Sequence, residues 1–339
     1  MVATAAVVDI YLPDECWECI LINIRYHRHL NSLSVVSKRF LSITNRVRFF
    51  LAIFDGTHPF LSRLFHRFPN LTSLDLTYYI IGDLNNLLHQ IYLFPLKLIS
   101  LIISGKKTIP ANGLRDFSQN ITTLTSLTCS GIRNINSTDL FLIANCFPLL
   151  EELDLRNPLR YNNQLLLDEV EILPLSFSKL RKVTLSNSYN IDDQLFFHLF
   201  KNCKLLEEAI MDFCCGVTNA GIVRMIVENS NLEKLNLSNT VVNDETLYVI
   251  SKSCHGLVHL ILLSCAHVTE KGVKHVLENC TKLREINLYG CDKAHFNDVV
   301  SMVLSRPSLR MVITPAANYR LKLSETDREV LSRQRCIVL

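Results

Sequence analysis

The sequence lacks an excess of charge of either sign. Its 35 lysine and arginine residues are nearly balanced by 32 aspartate and glutamate residues, which gives a formal net charge of +3. Proteins that bind nucleic acids usually present a strongly basic face. Because the charges here are mixed along the chain, we expect no nucleic-acid partner.

Long hydrophobic runs are also missing, although 48% of the residues are hydrophobic. A membrane-spanning helix needs about 20 consecutive apolar residues, and stretches such as residues 257–265 are much shorter. The N-terminus has neither the basic start nor the long apolar core of a signal peptide. The sequence therefore predicts a cytoplasmic or nuclear protein with a large buried core.

Motifs for catalysis are absent as well. The chain contains no G-x-x-x-x-G-K-S/T phosphate-binding loop, no H-E-x-x-H zinc motif and no G-x-S-x-G nucleophile motif. We therefore expect a protein that is not itself an enzyme and that needs no cofactor.

An internal repeat is what the sequence does contain. The template L-x-x-L-x-L, with related apolar residues allowed at its anchors, recurs with a spacing close to 26 residues. This spacing is typical of leucine-rich repeats. One interval, from Leu150 to Leu180, is 30 residues long and marks an insertion over residues 159–173. The first anchors are Leu71, Leu98, Leu124, Leu150, Leu180, Leu206, Leu232, Leu257, Leu283 and Leu309.

Each repeat predicts one short strand followed by one helix. The anchors would point into a core and the residues between them outward. Asp192, Thr218, Asn243 and Thr269 stand where their side-chain oxygens can cap successive helices. The predicted fold is α/β, a curved solenoid of about ten strand-helix repeats over residues 68–314. A junction at residues 49–67 precedes it and contributes a first strand near residues 49–54.

Six of the twelve cysteines follow the period of the repeat. A zinc site needs four ligands that converge on one point, whereas residues one repeat apart stack in rows along a solenoid. We therefore expect buried thiols and no metal. The pattern resembles the cysteine-containing subclass of leucine-rich repeats. Its periodic cysteines are Cys203, Cys254 and Cys280 before strands, and Cys214, Cys265 and Cys291 after them.

Residues 8–48 do not follow the repeat and predict three short helices, which could bury little surface alone. Several of their residues resemble the F-box motif, with Trp17 and Cys19 as departures and Phe40 where Trp is commoner. The alternative is a plain helical cap, because solenoids need capped ends. The matching segments are Leu12-Pro13-Asp14-Glu15, Ile20-Leu21, Leu30 and Val36-Ser37-Lys38-Arg39-Phe40.

The combination of an F-box with the repeats resembles F-box/leucine-rich-repeat proteins, especially those of plants. The resemblance implies a non-catalytic substrate receptor of an SCF-type ubiquitin ligase, whose targets are ubiquitinated and degraded by the proteasome. It also implies a Skp-type adaptor as partner and, through it, a cullin. The residues that would contact the adaptor or support the contact are Leu12, Pro13, Ile20, Leu21, Leu33, Val36 and Phe40.

The outward residues of the strands form the predicted surface for an unknown target protein. They mix both signs of charge, and aliphatic residues interrupt them, which is typical of a binding surface. In the alternative, the tail at residues 315–339 covers the aliphatic residues. A hormone-receptor function is disfavoured because the outward row holds few cations. The candidate target-binding residues are Asp154, Arg156, Lys182, Ile210, Asp212, Lys234, His259, Ile261, Leu263 and Tyr289.

The last four residues, Cys336-Ile337-Val338-Leu339, match a prenylation box in which terminal Leu favours geranylgeranyl. A single lipid gives weak anchoring, and three nearby arginines would add to it. We predict lipidation of Cys336 and, with it, contact with a membrane. The alternative is an apolar end that packs on the last repeat. For the whole chain, the alternative function is a non-ligase repeat scaffold, with or without a membrane anchor.

Overall fold

The computed structural model describes residues 12–24, 27–132, 135, 137–156, 177–187, 191–294, 299–315 and 325–338. The strands are β1 (Phe50–Ala52), β2 (Ser73–Asp75), β3 (Ser100–Ile102), β4 (Ser126–Thr128), β5 (Glu152–Asp154), β6 (Lys182–Thr184), β7 (Glu208–Ile210), β8 (Lys234–Asn236), β9 (His259–Ile261), β10 (Glu285–Asn287), β11 (Met311–Ile313) and β12 (Ile337–Val338).

After an N-terminal group of three, the described helices lie between successive strands, except between β5 and β6, where residues 157–176 lie outside the described ranges. They are α1 (Asp14–Ile22), α2 (His27–Ser34), α3 (Lys38–Arg46), α4 (Leu61–Arg67), α5 (Leu84–Tyr92), α6 (Ala111–Asn120), α7 (Ser137–Cys146), α8 (Asp193–Phe200), α9 (Asn219–Glu228), α10 (Asp244–Ser253), α11 (Glu270–Asn279), α12 (Val299–Ser305) and α13 (Glu325–Arg333). A short 3-10 helix, His58–Phe60, precedes α4.

All described strands form one parallel sheet in sequence order, from β1 to β12. The register keeps equivalent repeat positions side by side, so that Ile286 aligns with Leu260 on one side and Val312 on the other. Such a sheet, with helices in the described connections between its strands, is the predicted α/β leucine-rich-repeat solenoid. The predicted first strand in the junction is confirmed as β1.

The core is one continuous cluster that runs from Ile53 to Cys336. The anchors of the template lie in it, as predicted, because a single repeat cannot bury its apolar face without its neighbours. The periodic cysteines line the same core, and the three that follow strands donate their thiols to carbonyls of the preceding repeat. These are Cys214 to Leu185 (3.2 Å), Cys265 to Leu237 (3.2 Å) and Cys291 to Leu262 (2.9 Å).

The predicted helix caps are confirmed, and they also join neighbouring repeats. Thr269 caps α11 by accepting a hydrogen bond from the backbone of Lys271. Its own backbone N–H and hydroxyl donate to the carboxylate of Asp244 in the previous repeat, at 2.8 and 2.6 Å. Gly272 lies against this contact, where a Cβ atom would come within 2.4 Å of the Asp244 carboxylate. We call the two hydrogen bonds from Thr269 to Asp244 the clamp between these repeats. The clamp requires glycine at position 272.

The predicted C-terminal tail contains a further unit of the solenoid. α13 is followed by β12, which pairs in parallel with β11, and Met311 aligns with Ile337, 26 positions later. The period thus continues beyond residue 314. Within residues 325–338 the tail extends the edge of the sheet, so this part does not lie over the outward residues of the earlier strands.

Candidate protein-interaction surfaces

The N-terminal helices α1–α3 form a small module with a core separate from that of the solenoid. Leu21, Leu30, Ile43 and Val47 are its buried residues, and Trp17 is among the partly buried ones packed on them. A core of this size contributes little stability by itself. Polar contacts between the helices therefore matter for the shape of the module.

Ion pairs join α1 to α3. The Arg39 Nε atom lies 2.7 Å from Asp14 Oδ1, Arg46 Nη2 lies 3.0 Å from Asp14 Oδ2, and Arg46 Nε lies 2.6 Å from Glu18 Oε1. Asp14 and Glu18 are one helical turn apart, so both face α3. Hydrogen bonds from Arg39 and Arg46 hold the pKa of Asp14 below its ordinary value of 3.8.

Several residues of the F-box-like motif build the module from within. Ser37 caps α3 by accepting a hydrogen bond from the Phe40 backbone at 3.2 Å. The Phe40 ring meets Trp17 edge-on, with centroids 5.0 Å apart. Arg39 also donates to the carbonyl of Leu12, ahead of α1. The polar residues of the motif, Ser37 and Arg39, therefore stabilise the module itself.

The predicted adaptor-binding residues divide into an exposed and a supporting set. Ile20 is 50% and Val36 65% exposed, and Pro13 is exposed as well. Leu21, at 2% exposure, belongs to the core of the module, and Leu33 packs against that core. Leu12 and Phe40 are half-buried. Leu21 can therefore support a contact but cannot make one.

Sequence reasoning missed further exposed apolar residues on the module, of which Val35 and Ile22 are the most exposed. Val35 is 84% exposed and Ile22 55%. Val35 directly follows α2 and Ile22 ends α1, so neither falls on the helix faces that bury the module core. A helical-wheel reading around Leu21 would have identified Ile22 as outward.

Two arginines lie near one aromatic ring where the module joins the solenoid. The guanidinium groups of Arg48 and Arg67 lie 5.0 and 5.2 Å from the centroid of the Phe68 ring. Asn70 donates to the backbone carbonyl of Arg46 at 2.9 Å, which ties the end of α3 to the first repeat. Burial and the neighbouring Arg67 lower the pKa of Arg48.

The charges predicted to bind a target are largely paired with one another on the concave face, the strand surface opposite the helices. Lys182 and Lys234 lie 3.2 and 3.6 Å from the carboxylate of Glu208, and His259 Nδ1 lies 2.9 Å from Glu285. These pairs cross from one strand to the next. The two pairs with Glu208 lie in an open groove. Its lining residues are Glu151, Glu152, Arg181, Lys182, Glu207, Glu208, Glu233 and Lys234.

Asp154 and Asp212 are also engaged within the chain. The Asp154 carboxylate accepts hydrogen bonds from the backbone and the guanidinium of Arg156, at 3.0 and 2.5 Å, while Asp212 accepts one from the hydroxyl of Ser186. Opposite charge on a partner would have to compete with these contacts. The predicted charged residues therefore offer less free charge than the sequence indicates.

The apolar target-binding residues remain accessible. Ile210, Ile261 and Leu263 are half-buried, and Tyr289 is exposed. Ile210 and Ile261 occupy the same position on β7 and β9, with Asn236 of β8 between them. Strands in a sheet lie about 4.8 Å apart, so the two isoleucines are roughly 10 Å apart on the concave face. They form the apolar part of the candidate target site.

A strained residue borders this part of the face. Seven residues after the anchor, most repeats place Gly, Asn or Ser in the left-handed backbone region, as at Gly290 and Asn239. Phe213 occupies the equivalent position with φ 57°. A bulky residue rarely adopts this conformation, and such strain clusters at functional sites. Phe213 thus takes the backbone conformation that the turn after the strand has in most repeats.

The predicted lipidation site lies within the folded end of the solenoid. Cys336 is 7% exposed, and burial raises the pKa of its thiol. The next residue, Ile337, donates its backbone N–H to the carbonyl of Arg310 at 2.8 Å. Leu339 lies outside the described residues. A transferase could reach the Cys336 thiol only after β12 leaves the sheet, and lipidation stays a prediction.

The described residues were also compared with what a metal site, a membrane-spanning helix and a reactive thiol each require. No group of three or more His, Cys, Asp or Glu side chains there is arranged to hold a metal ion. No helix among the described residues is long and apolar enough to cross a membrane. Burial raises the pKa of the core thiols Cys203 and Cys254 to about 12, so these thiols are not reactive.

Comparison with known proteins finds similarity among solved structures. No protein-family model matches the chain. Among solved structures, the chain is similar to one described as the crystal structure of a Rad7 and Elc1 complex in yeast. The two are 14% identical, with 96% of this chain and 92% of that chain covered and a TM-score of 0.45.

Proposed function

We propose that the chain is the substrate-recognition subunit of an SCF-type ubiquitin ligase. In this proposal the N-terminal module binds a Skp-type adaptor and, through it, a cullin. The concave face holds a target protein close to the ubiquitin-conjugating enzyme. The chain supplies proximity and orientation, and its partners supply the chemistry.

The observation that carries the proposal is the apolar surface of the N-terminal module. A helical cap would bury its apolar side chains on the first repeat, whereas Ile20 and Val36 remain open to solvent. Both belong to the segments that resemble the F-box. Exposed aliphatic groups on a small module with a minimal core are typical of a docking surface, which favours a partner over a cap.

Reconstitution with a purified Skp-type adaptor and cullin tests the first half of the proposal. The native chain is expected to co-elute with both in size-exclusion chromatography. The double variant Ile20→Asp/Val36→Asp should lose the adaptor, because two charges would be buried without partners. The matched control is Val227→Asp, on the solenoid helix α9 and 60% exposed, which should keep it.

Unchanged thermal unfolding of the double variant shows that loss of the adaptor does not come from unfolding. If the native chain binds no adaptor, the ligase proposal is wrong and the chain is a repeat scaffold. The variants Leu12→Ala and Pro13→Ala test the segment ahead of α1 in the same way and should also weaken adaptor binding.

Proximity labelling in cells, with and without a proteasome inhibitor, tests target recognition. Targets are expected to accumulate near the native chain when the proteasome is inhibited. The variants Ile210→Asp and Ile261→Asp should abolish that accumulation and leave adaptor binding intact. A set of labelled proteins that does not respond to the inhibitor would contradict degradation as the outcome of binding.

A further inference from the structure

One segment departs from the even mixture of charges along the chain. Residues 19–74 contain eight lysine and arginine residues but only one acid, Asp55. The carboxylate of Asp55 is already bound to the backbone N–H groups of Ile80 and Ile81. The segment is therefore strongly basic, while the rest of the chain is net acidic. The eight cations are Arg25, Arg28, Lys38, Arg39, Arg46, Arg48, Arg63 and Arg67.

Three of these arginines are bound by neutral groups where the N-terminal module joins the solenoid. Arg48 Nη2 donates to Asn31 Oδ1 at 2.6 Å, and Arg67 Nε donates to Asn45 Oδ1 at 3.0 Å. Arg63 lies over a phenylalanine ring, 5.9 Å from its centroid. Among the described residues no carboxylate pairs with any of the three, in contrast to the ion pairs between α1 and α3. We call Arg48, Arg63 and Arg67 the basic junction.

The arginines of the basic junction also repel one another. The guanidinium groups of Arg48 and Arg67 lie 5.0 and 5.2 Å from the centroid of the same Phe68 ring. Arg63 and Arg67 are one turn apart on α4, a spacing at which like charges destabilise a helix. The ring offsets part of this cost by cation-π attraction, but no opposite charge in the described ranges does. The fold therefore holds positive charge together at this point.

Partial burial adds a further cost at Arg48, which is half-buried. Its Nε atom is buried and has no hydrogen-bond partner among the described residues. Burial and the neighbouring charge of Arg67 lower the pKa of Arg48. A buried donor without a partner costs free energy, and a charged one costs more. A carboxylate placed beside Arg48 would offset both the burial and the repulsion.

We propose that the basic junction binds an acidic segment of a protein partner. Carboxylates on alternate residues of an extended segment lie about 7 Å apart on one side, which suits two arginines that share one ring. Nucleic-acid binding instead draws its affinity from many phosphate contacts, whereas the basic junction offers three arginines. The inference concerns residues other than Ile20 and Val36, and it stands whether or not these two bind an adaptor.

The experiment titrates a fluorescent peptide of alternating glutamate and glycine with the full-length chain and follows fluorescence polarisation. Arg48→Gln/Arg67→Gln should weaken binding at least about fivefold, because two charge-assisted contacts are lost. Arg67→Gln alone changes an exposed side chain, so it should keep the fold and still weaken binding. The matched control Arg224→Gln/Lys252→Gln removes two cations that also lie over rings, on α9 and α10, and should leave the affinity unchanged.

Two further measurements separate an acidic segment from other occupants of the basic junction. Binding of the glutamate peptide should weaken as the salt concentration rises, and a peptide with lysine in place of glutamate should not bind. Four results would overturn the proposal. They are no binding of the glutamate peptide by the native chain, equal affinity in Arg67→Gln and the native chain, tighter binding of a single-stranded RNA that the same variant loses, or a dimer in light scattering that depends on Arg67.

Discussion

The Arg39 guanidinium lies 2.7 Å from the Asp14 carboxylate and joins the third helix of the N-terminal module to the first. Arg46 reaches the same carboxylate at 3.0 Å. Because the apolar core of the module is so small, this cluster should contribute to the packing of α1 on α3.

Neutralising Asp14 should loosen the module and leave the solenoid intact. The folded pKa of Asp14 is lowered, so its stabilising contribution is present above the unfolded value and is lost as the pH falls through the folded pKa. Asp14→Asn should reproduce that loss at neutral pH. Hydrogen exchange should accelerate in residues 14–22 and 38–46 only.

The control for this prediction is Glu15→Gln, which removes the charge of an exposed neighbour on the same helix. It should not change exchange in α3. Equal exchange in Asp14→Asn and the native chain would show that the ion pairs do not support the module.

Truncation of a buried strand anchor should destabilise the solenoid strongly. Leu260 is fully buried at the centre of β9, and Leu260→Ala should lower the free energy of unfolding by about 2–5 kcal/mol. Denaturant unfolding followed by circular dichroism measures this change. Val227→Ala, on an exposed site, should cost less than about 0.5 kcal/mol; similar losses in both variants would contradict the assigned core.

A methyl group at Gly272 should disturb the clamp between repeats. The added Cβ atom would lie 2.4 Å from Asp244 Oδ1 and 2.9 Å from Asp244 Cα, so the backbone as well as the side chain must shift. Gly272→Ala should destabilise the chain by about 1–3 kcal/mol. The matched control is Gly256→Ala, whose Cβ atom would have its nearest neighbour at 3.9 Å; it should be neutral or slightly stabilising.

Release of β12 should limit the rate of any lipidation of Cys336. Leu331 is buried in α13, and Leu331→Ala should weaken the packing that holds this end of the chain. Incorporation of labelled geranylgeranyl by its transferase should be faster in Leu331→Ala than in the native chain, and absent in Cys336→Ser. Equal rates in the native chain and Leu331→Ala would show that the fold does not protect the thiol.

Much of the fold could be predicted because its signals repeat at a fixed spacing. The anchors, the caps Thr218 and Thr269 and the row of cysteines each obey the period, and the structure confirms them. The last strand was missed because Arg335 stands where the template requires its first leucine and the chain ends soon after. There the backbone pairing with β11 continues without the apolar anchor that identifies it.

The candidate sites could be predicted less well. Outward positions follow from the alternation of a strand, so Ile210 and Ile261 were found. The pairing of Lys182 and Lys234 with Glu208 was not, because it depends on the register between strands. Exposure of Ile80 and Ile81 was also missed, since the loop shape depends on Asp55, which lies 25 residues earlier in the chain.

The sequence by itself determined the repeat, because hydrophobic spacing along one chain is enough to specify which side chains a strand and its helix must bury. It also indicated the motif of the N-terminal module. Only the tertiary structure decided which polar groups satisfy one another and which apolar groups stay exposed. Those outcomes depend on contacts between residues one repeat apart, whose distances and directions exist only once the strands are in register.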